Sequence, residues 1–158
     1  MLFRSDCVKQ GVRITVLGRR DRVPRPVSGA ISGMEEATRA GTRLHVRLAV
    51  DYSARDAILD AARLFHCPNG DGREVFARCL GHVIHAGEAA RDVDLLIRTG
   101  GDQRLSDFLL WECSYAELYF TQKMWPEFSA DDLREAVRDF HGRDRRYGCA
   151  KTLQPAEN

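Results

Sequence analysis

The apolar period of this chain switches between about two and about 3.6 residues, and that alternation restricts the folds open to it. Residues 42–52, TRLHVRLAVDY, put Leu44, Val46, Leu48 and Val50 on alternate positions, one face of a strand. Residues 55–65 then take helical spacing, with Ile58, Ala61, Leu64 and Phe65 expected to face inward. The same switch occurs upstream. VRITVLG, residues 12–18, is rich in β-branched side chains and stops at Gly18. A charged loop holding Pro24 and Pro26 leads to a helix expected from Ser28 to about Ala40, ended by Gly41. Another helix is expected over 73–85. DLLIR, residues 94–98, is a short apolar run expected as a strand buried on both faces, and it runs into Gly100 and Gly101. Ser106 to Cys113 is expected as a short helix and ELYF, residues 117–120, as a fourth strand. Ser129 and Asp132 form a capping-box-like start to a last helix, which carries Leu133, Ala136, Val137 and Phe140 on one face. Strands alternating with helices define an α/β fold with a mainly parallel sheet flanked by helices. Such sheets bind ligands beyond the carboxyl ends of their strands. The Gly-Gly turn lies at that edge, and so does DYSAR, residues 51–55.

Composition narrows the function classes. The length of 158 residues suits one domain, and 30% charged with 44% hydrophobic residues is ordinary for a globular protein. A formal net charge of +1 gives no bulk attraction for nucleic acid, so nucleic-acid binding is set aside. No apolar run approaches the roughly 20 residues of a membrane span. The opening MLFRSDCVKQ lacks the apolar core of a secretory signal. Cys7, Cys67, Cys79, Cys113 and Cys149 are odd in number and form no CxxC pair, so free thiols in a reducing cytosol are expected.

The stretch with most chemistry runs from 93 to 120. Arg98 closes a strand, Arg104 follows six residues later, and Ser106 comes between turn and helix. Two guanidiniums and a hydroxyl can hold a diphosphate by charge-assisted hydrogen bonds, and Gly100 and Gly101 let the backbone approach a bulky anion. Glu117 begins the next strand, where a carboxylate at a sheet edge can ligate Mg²⁺ bridged to phosphate oxygens. The competing reading is structural: an arginine–aspartate network ties the turn together, and Glu117 pairs with an arginine. The residues alone leave both open.

The run DLLIRTGGDQRLSDFLLWECSYAELYFTQKMWPEF resembles the C-terminal signature of the cis-prenyltransferases, the undecaprenyl diphosphate synthase family. VRITVLGRRDRVP, LAVDYSARDAIL and FHGRDRRYG extend the likeness over nearly the whole chain. The resemblance implies an enzyme that joins isopentenyl diphosphate to an allylic diphosphate of the farnesyl type, making a Z-polyprenyl diphosphate. It implies that Arg98, Arg104 and Ser106, with the backbone of Leu105, hold isopentenyl diphosphate. It assigns Glu117 to Mg²⁺. It assigns Arg146 and Gly148 to an Arg-x-Gly element that reaches a partner subunit's site, in a homodimer or a heterodimer of related subunits. A cytoplasmic location with peripheral membrane contact through the lipid product is expected on the same ground.

The sequence departs from the family pattern in two ways. The Asp-Gly-Asn-Gly-Arg loop, whose aspartate is central to leaving-group ionisation, has no counterpart here, so no catalytic residue is assigned. The expected fold is therefore cis-prenyltransferase-like without the first two strands: a truncated domain over 1–149 and a flexible tail over 150–158. An active enzyme, a non-catalytic accessory subunit that dimerises with a full-length relative, and an inactive fragment all follow as readings. Smaller departures add carboxylates: Asp51-Tyr52-Ser53-Ala54-Arg55 where the family has Asn-Tyr-Gly-Gly-Arg, Asp102 for glutamate, Asp107 for asparagine and Glu112 for glutamine.

Other clusters read as structural. Cys79, His82 and His85 share a helix near His66 and Cys67, but their spacing fits no standard zinc pattern. Cys113 is expected as a small core residue. GRRDR, residues 18–22, and GRDRR, residues 142–146, are expected to be solvated charges, or a basic rim facing a diphosphate or anionic lipid.

Overall fold

The computed structural model describes residues 2–66 and 70–147. Helix α1 spans Leu2–Lys9, strand β1 Val12–Leu17, helix α2 Arg25–Thr38, strand β2 Leu44–Ala49, helix α3 Ala54–Leu64 and helix α4 Gly72–Val83. Strand β3 (Leu95–Arg98), strand β4 (Glu117–Phe120), a 3-10 turn (Trp125–Glu127) and helix α5 (Ala130–His141) complete the order. The α/β class holds, and both strand pairings are parallel: β1 with β2, Val12 opposite Leu44, and β3 with β4, Leu95 opposite Glu117.

These elements form two compact units. The first holds residues up to Arg91 together with Leu105–Trp111. The second holds Asp92–Arg104 and the residues from Glu112 onward.

In the first unit, Leu17, Ala57, Ala61, Leu80, Ile84 and Ala86 make one buried cluster, with Phe76 and Trp111 packed against it. Small residues face inward on α3, which lets it approach α4 closely. Ala54, Ala57 and Ala61 are buried there, whereas Leu64 and Phe65 are 53% and 41% exposed, so the expected inward face is rotated. The loop after α4 also runs close. A Cβ at Gly81 would lie 1.9 Å from the Glu88 carbonyl oxygen, so only glycine lets residues 86–89 pass over the helix.

Three further expectations shift. Helix α2 starts at Arg25, with Pro26 in its first turn, where proline's missing N–H costs nothing. On β2, Leu44 and Leu48 are exposed despite their clean alternation. Residues 106–113 form successive turns instead of a short helix, because Ser106, Asp107 and Leu109 have φ of 50°, 63° and 47°. Each left-handed residue costs on the order of 1–2 kcal/mol, and no right-handed helix passes through them.

Candidate functional site

In the second unit, β3 ends at Arg98 and the chain turns back through two left-handed glycines, Gly100 at φ 87° and Gly101 at φ 80°. Their N–H groups bond the carbonyls of Lys123 (2.8 Å) and Thr121 (2.9 Å), so the turn is tied to the segment beyond β4. That tie positions a charge cluster. Asp102 Oδ2 accepts from Arg98 Nη2 at 3.0 Å and from Arg104 Nη2 at 2.6 Å. Arg98 Nη1 also donates to the Arg104 carbonyl. Two guanidiniums thus converge on one carboxylate oxygen at the carboxyl end of a parallel strand. The arginine–aspartate network weighed as the structural reading is present. It also presents two cations together to any multivalent anion that displaces Asp102. Leu105 and Ser106 follow directly in the chain and are counted with the first unit.

Glu117 lies elsewhere on this unit. It opens β4 opposite Leu95, while Arg98 faces Phe120, so Glu117 and Arg98 stand three residues apart in register, about 10 Å along the strands. Glu117 Oε2 accepts from Arg143 Nη1 at 3.0 Å. Arg143 also donates to the Leu118 carbonyl (3.0 Å) and to Asp139 Oδ2 through Nε (2.9 Å) and Nη2 (2.5 Å). The Glu117 bond, with Asp139 behind it, holds the Arg143 guanidinium above its ordinary value. Among the described residues no group of three or more His, Cys, Asp or Glu side chains is placed to hold a metal ion. A single carboxylate already engaged by an arginine does not make a Mg²⁺ site on its own.

The basic run 142–146 is less solvated than expected. Arg145 lies between the Phe140 and Tyr147 rings, 5.3 and 4.8 Å from their centroids, and pairs with Asp94 at 2.7 Å. Arg146 is half-exposed and reaches Asp144 at 3.3 Å. Gly148 lies outside the described residues, as do Cys67, Cys149 and the 150–158 tail. Sequence reasoning missed Arg143 and Arg145, since a run of like charges looks solvated until tertiary partners appear. The upstream run is paired too: Arg19 with Asp21, Arg20 with Glu35, and Arg22 with Asp51.

The departures from the family pattern find partners within the protein. Asp51 is held by Arg22 through two bonds of 2.7 and 2.5 Å. Ser53 and Asp107, 54 residues apart, touch: Ser53 Oγ donates to Asp107 Oδ2 at 2.7 Å. The Ser53 bond first, then the Arg55 N–H, hold the Asp107 carboxyl below its usual range. Asp102 bridges the two arginines. These carboxylates are spent on protein partners.

A cavity of about 760 Å³ in the first unit is lined by Arg13, Arg20, Glu35, His82, His85 and Glu88, among others. None of the residues singled out for diphosphate lies there. Its carboxylates are paired: Glu35 with Arg20 and the Val16 N–H, and Glu88 with Arg47 and Arg91. Burial, then Arg20, pushes His85 below its ordinary value. Size alone does not outweigh the convergent arginines at the Gly-Gly turn. Cys7, Cys79 and Cys113 are free thiols. Burial, then Glu112, pushes the Cys113 thiol up, which suits a core residue and not a nucleophile.

Arg98 and Arg104 thus flank a Gly-Gly turn at the carboxyl end of a parallel strand. Residues 2–148 match the undecaprenyl diphosphate synthase family, and the chain belongs to it. It is 56% identical to isoprenyl transferase 1 of Bradyrhizobium diazoefficiens over 95% of this chain and 59% of that protein. It is 39% identical to the (2E,6E)-farnesyl-diphosphate-specific ditrans,polycis-undecaprenyl-diphosphate synthase of Xanthomonas campestris, over 89% of this chain and 55% of that one. The crystal structure of lavandulyl diphosphate synthase from Lavandula x intermedia, in complex with dimethylallyl diphosphate, superposes with a TM-score of 0.81. That match has 32% identity and covers 93% of this chain and 66% of that one. The chain thus spans a little over half the length of these curated relatives. No helix among the described residues is long and apolar enough to cross a membrane.

Proposed function

We propose that this chain carries the isopentenyl-diphosphate side of a cis-prenyltransferase site, for condensation with an allylic diphosphate of the farnesyl type to a Z-polyprenyl diphosphate. The observation that carries the reading is the convergence of Arg98 and Arg104 on one oxygen of Asp102, at the turn where such sheets bind ligands. A diphosphate offers several anionic oxygens where Asp102 offers one. Displacing Asp102 therefore exchanges two bonds to one shared oxygen for a larger set of charge-assisted bonds, each contributing about 1.5–3 kcal/mol. Ser106 donates its hydroxyl, and Leu105 its backbone, to the same group. Arg146 and Gly148 serve a partner's site in a homodimer or heterodimer. In the reaction, the allylic carbon–oxygen bond breaks and its electron pair leaves with diphosphate. A carbon–carbon bond forms to isopentenyl diphosphate, and a proton is lost to make the new double bond. The arginines hold the second substrate's alkene close to the allylic carbon, a proximity contribution. Glu117, here paired with Arg143, is the one carboxylate assigned toward Mg²⁺, which would supply neutralisation of diphosphate charge. The free thiols support a reducing compartment, hence a cytosolic protein that meets membranes through its lipid product.

A second reading is favoured by one observation. Glu117 stands at the far end of the strand pair from the arginines and no metal-ligand group gathers around it among the described residues. The chain then acts as an accessory subunit beside a full-length relative. Radiolabelled isopentenyl diphosphate with farnesyl diphosphate and Mg²⁺, on wild type beside Glu117→Ala, separates the two. Butanol-extractable product that the variant loses supports catalysis by this chain. No product from well-folded wild type, with product restored by a full-length relative, supports the accessory role.

A further inference from the structure

The first turn of a helix leaves N–H groups without partners, and these attract anions. In α3 they are taken from within the chain. Ala54 N–H donates to the Asp107 carbonyl at 3.0 Å, and Arg55 N–H to Asp107 Oδ1 at 2.8 Å. Asp56 N–H donates to Ser53 Oγ at 3.1 Å, and Ala57 N–H to the Ser53 carbonyl at 3.0 Å. The Ser53 hydroxyl then donates to Asp107 Oδ2 at 2.7 Å. Residue 107 therefore meets the helix through its carbonyl and both carboxylate oxygens. The anion at this helix end is the chain's own.

The grip falls where the backbone is least comfortable. Ser106 and Asp107 are both left-handed, as is Leu109. Ring contacts hold the residues that follow: Phe108 lies edge-on to Tyr52 at 5.7 Å, and Trp111 lies against Phe76 at 4.6 Å. Those contacts fix where the segment goes. They do not fix the φ of Ser106, which decides the direction of its hydroxyl. Asp107, the next residue, is bonded at three atoms.

We infer that Asp107 is a positioning residue: by serving as the built-in anion of α3 it holds Ser106 in the left-handed backbone from which its hydroxyl meets the diphosphate. This rests on the reading of Ser106 as a diphosphate ligand. Asp107 touches no substrate in this scheme and acts through its neighbour. Ser53 completes the device, and this chain has Ser53 and Asp107 where the family pattern it resembles has glycine and asparagine. Asparagine can make the same contacts, with its amide oxygen on Arg55 N–H and its NH₂ group donating to Ser53 Oγ, and it tolerates left-handed φ.

The test uses the 158-residue chain, with two readouts on wild type, Asp107→Ala and Asp107→Asn. Amide hydrogen exchange over residues 53–57 and 104–110 reports the cap. Equilibrium binding of radiolabelled isopentenyl diphosphate reports the positioning. Asp107→Ala is expected to speed exchange at 54–56 roughly tenfold and to weaken binding roughly tenfold, about one charged hydrogen bond, with exchange in β1 and β2 unchanged. Asp107→Asn is expected within about threefold of wild type on both. Faster exchange in Asp107→Ala with affinity inside about twofold of wild type would overturn the positioning role, and unchanged exchange would overturn the cap itself. If Asp107→Ala does not fold, Ser53→Ala decides, with about threefold weaker binding expected and unchanged binding contradicting the inference. Wild type that binds no isopentenyl diphosphate defeats the functional reading and the positioning role together, while its exchange pattern still shows whether the cap forms.

Discussion

Asp102 holds Arg98 and Arg104 on one oxygen, and the strength of the functional reading rests on what those two guanidiniums do once the oxygen is replaced. Arg104 is 65% exposed, so its pair with Asp102 contributes little to folding. In the proposed site the same side chain would make a charge-assisted bond to diphosphate worth about 1.5–3 kcal/mol. Arg104→Ala is therefore expected to weaken isopentenyl diphosphate binding about 10- to 100-fold, measured by titration, with a melting temperature close to wild type. A large fall in melting temperature with unchanged affinity would make Arg104 a purely structural residue. At this scale the sequence was legible where partners are close: Arg98, Asp102 and Arg104 lie within seven residues. It was silent where they are far. Asp51 meets Arg22 across 29 positions and Ser53 meets Asp107 across 54, and nothing in either local pattern names its partner.

Elements were legible to the extent that their ends are set locally. Helix α5 begins where its capping box places it: Asp132 N–H donates to Ser129 Oγ at 3.3 Å, and Ser129 N–H to Asp132 Oδ2 at 2.8 Å. Lys123 Nζ adds a 2.5 Å pair to Asp132, and these bonds, that of Lys123 first, pull the carboxyl from 3.8 to about 2. A depressed folded value means that the contribution is complete above the unfolded 3.8 and is lost as pH falls toward about 2. Acid unfolding followed by circular dichroism should show that share of stability disappearing between these two values in wild type. Asp132→Asn should be less stable than wild type at neutral pH and nearly equal to it below about pH 2. A difference that persists unchanged in acid contradicts the assignment. Two element-level expectations failed for tertiary reasons. The inward face of α3 is set by close approach to α4, which selects alanines over the larger Leu64 and Phe65. The 106–113 helix fails because Ser106, Asp107 and Leu109 are left-handed, and Asp107 is bonded to the start of α3, overriding local propensity.

For the whole molecule, the sequence announced the alternation of β2 but not what covers it. Leu44 and Leu48 are 56% and 45% exposed along a strand that pairs only with β1 among the described residues, and Val50 just beyond it is 42% exposed. Apolar side chains beside an unpaired strand edge invite a second chain. The isolated protein is expected to associate, with a mass by light scattering that rises with concentration; a monodisperse monomer at all concentrations contradicts this. The property proposed for the molecule is nevertheless chemical: that this chain by itself presents an isopentenyl diphosphate site built on Arg98 and Arg104. Isothermal titration of isopentenyl diphosphate into the folded 158-residue chain, with the Arg98→Ala, Arg104→Ala double variant alongside, addresses it most directly. Saturable binding at one site per chain is expected, lost in the double variant while its circular dichroism spectrum is retained. Folded wild type that shows no saturable binding, or a double variant that binds as well as wild type, would contradict it.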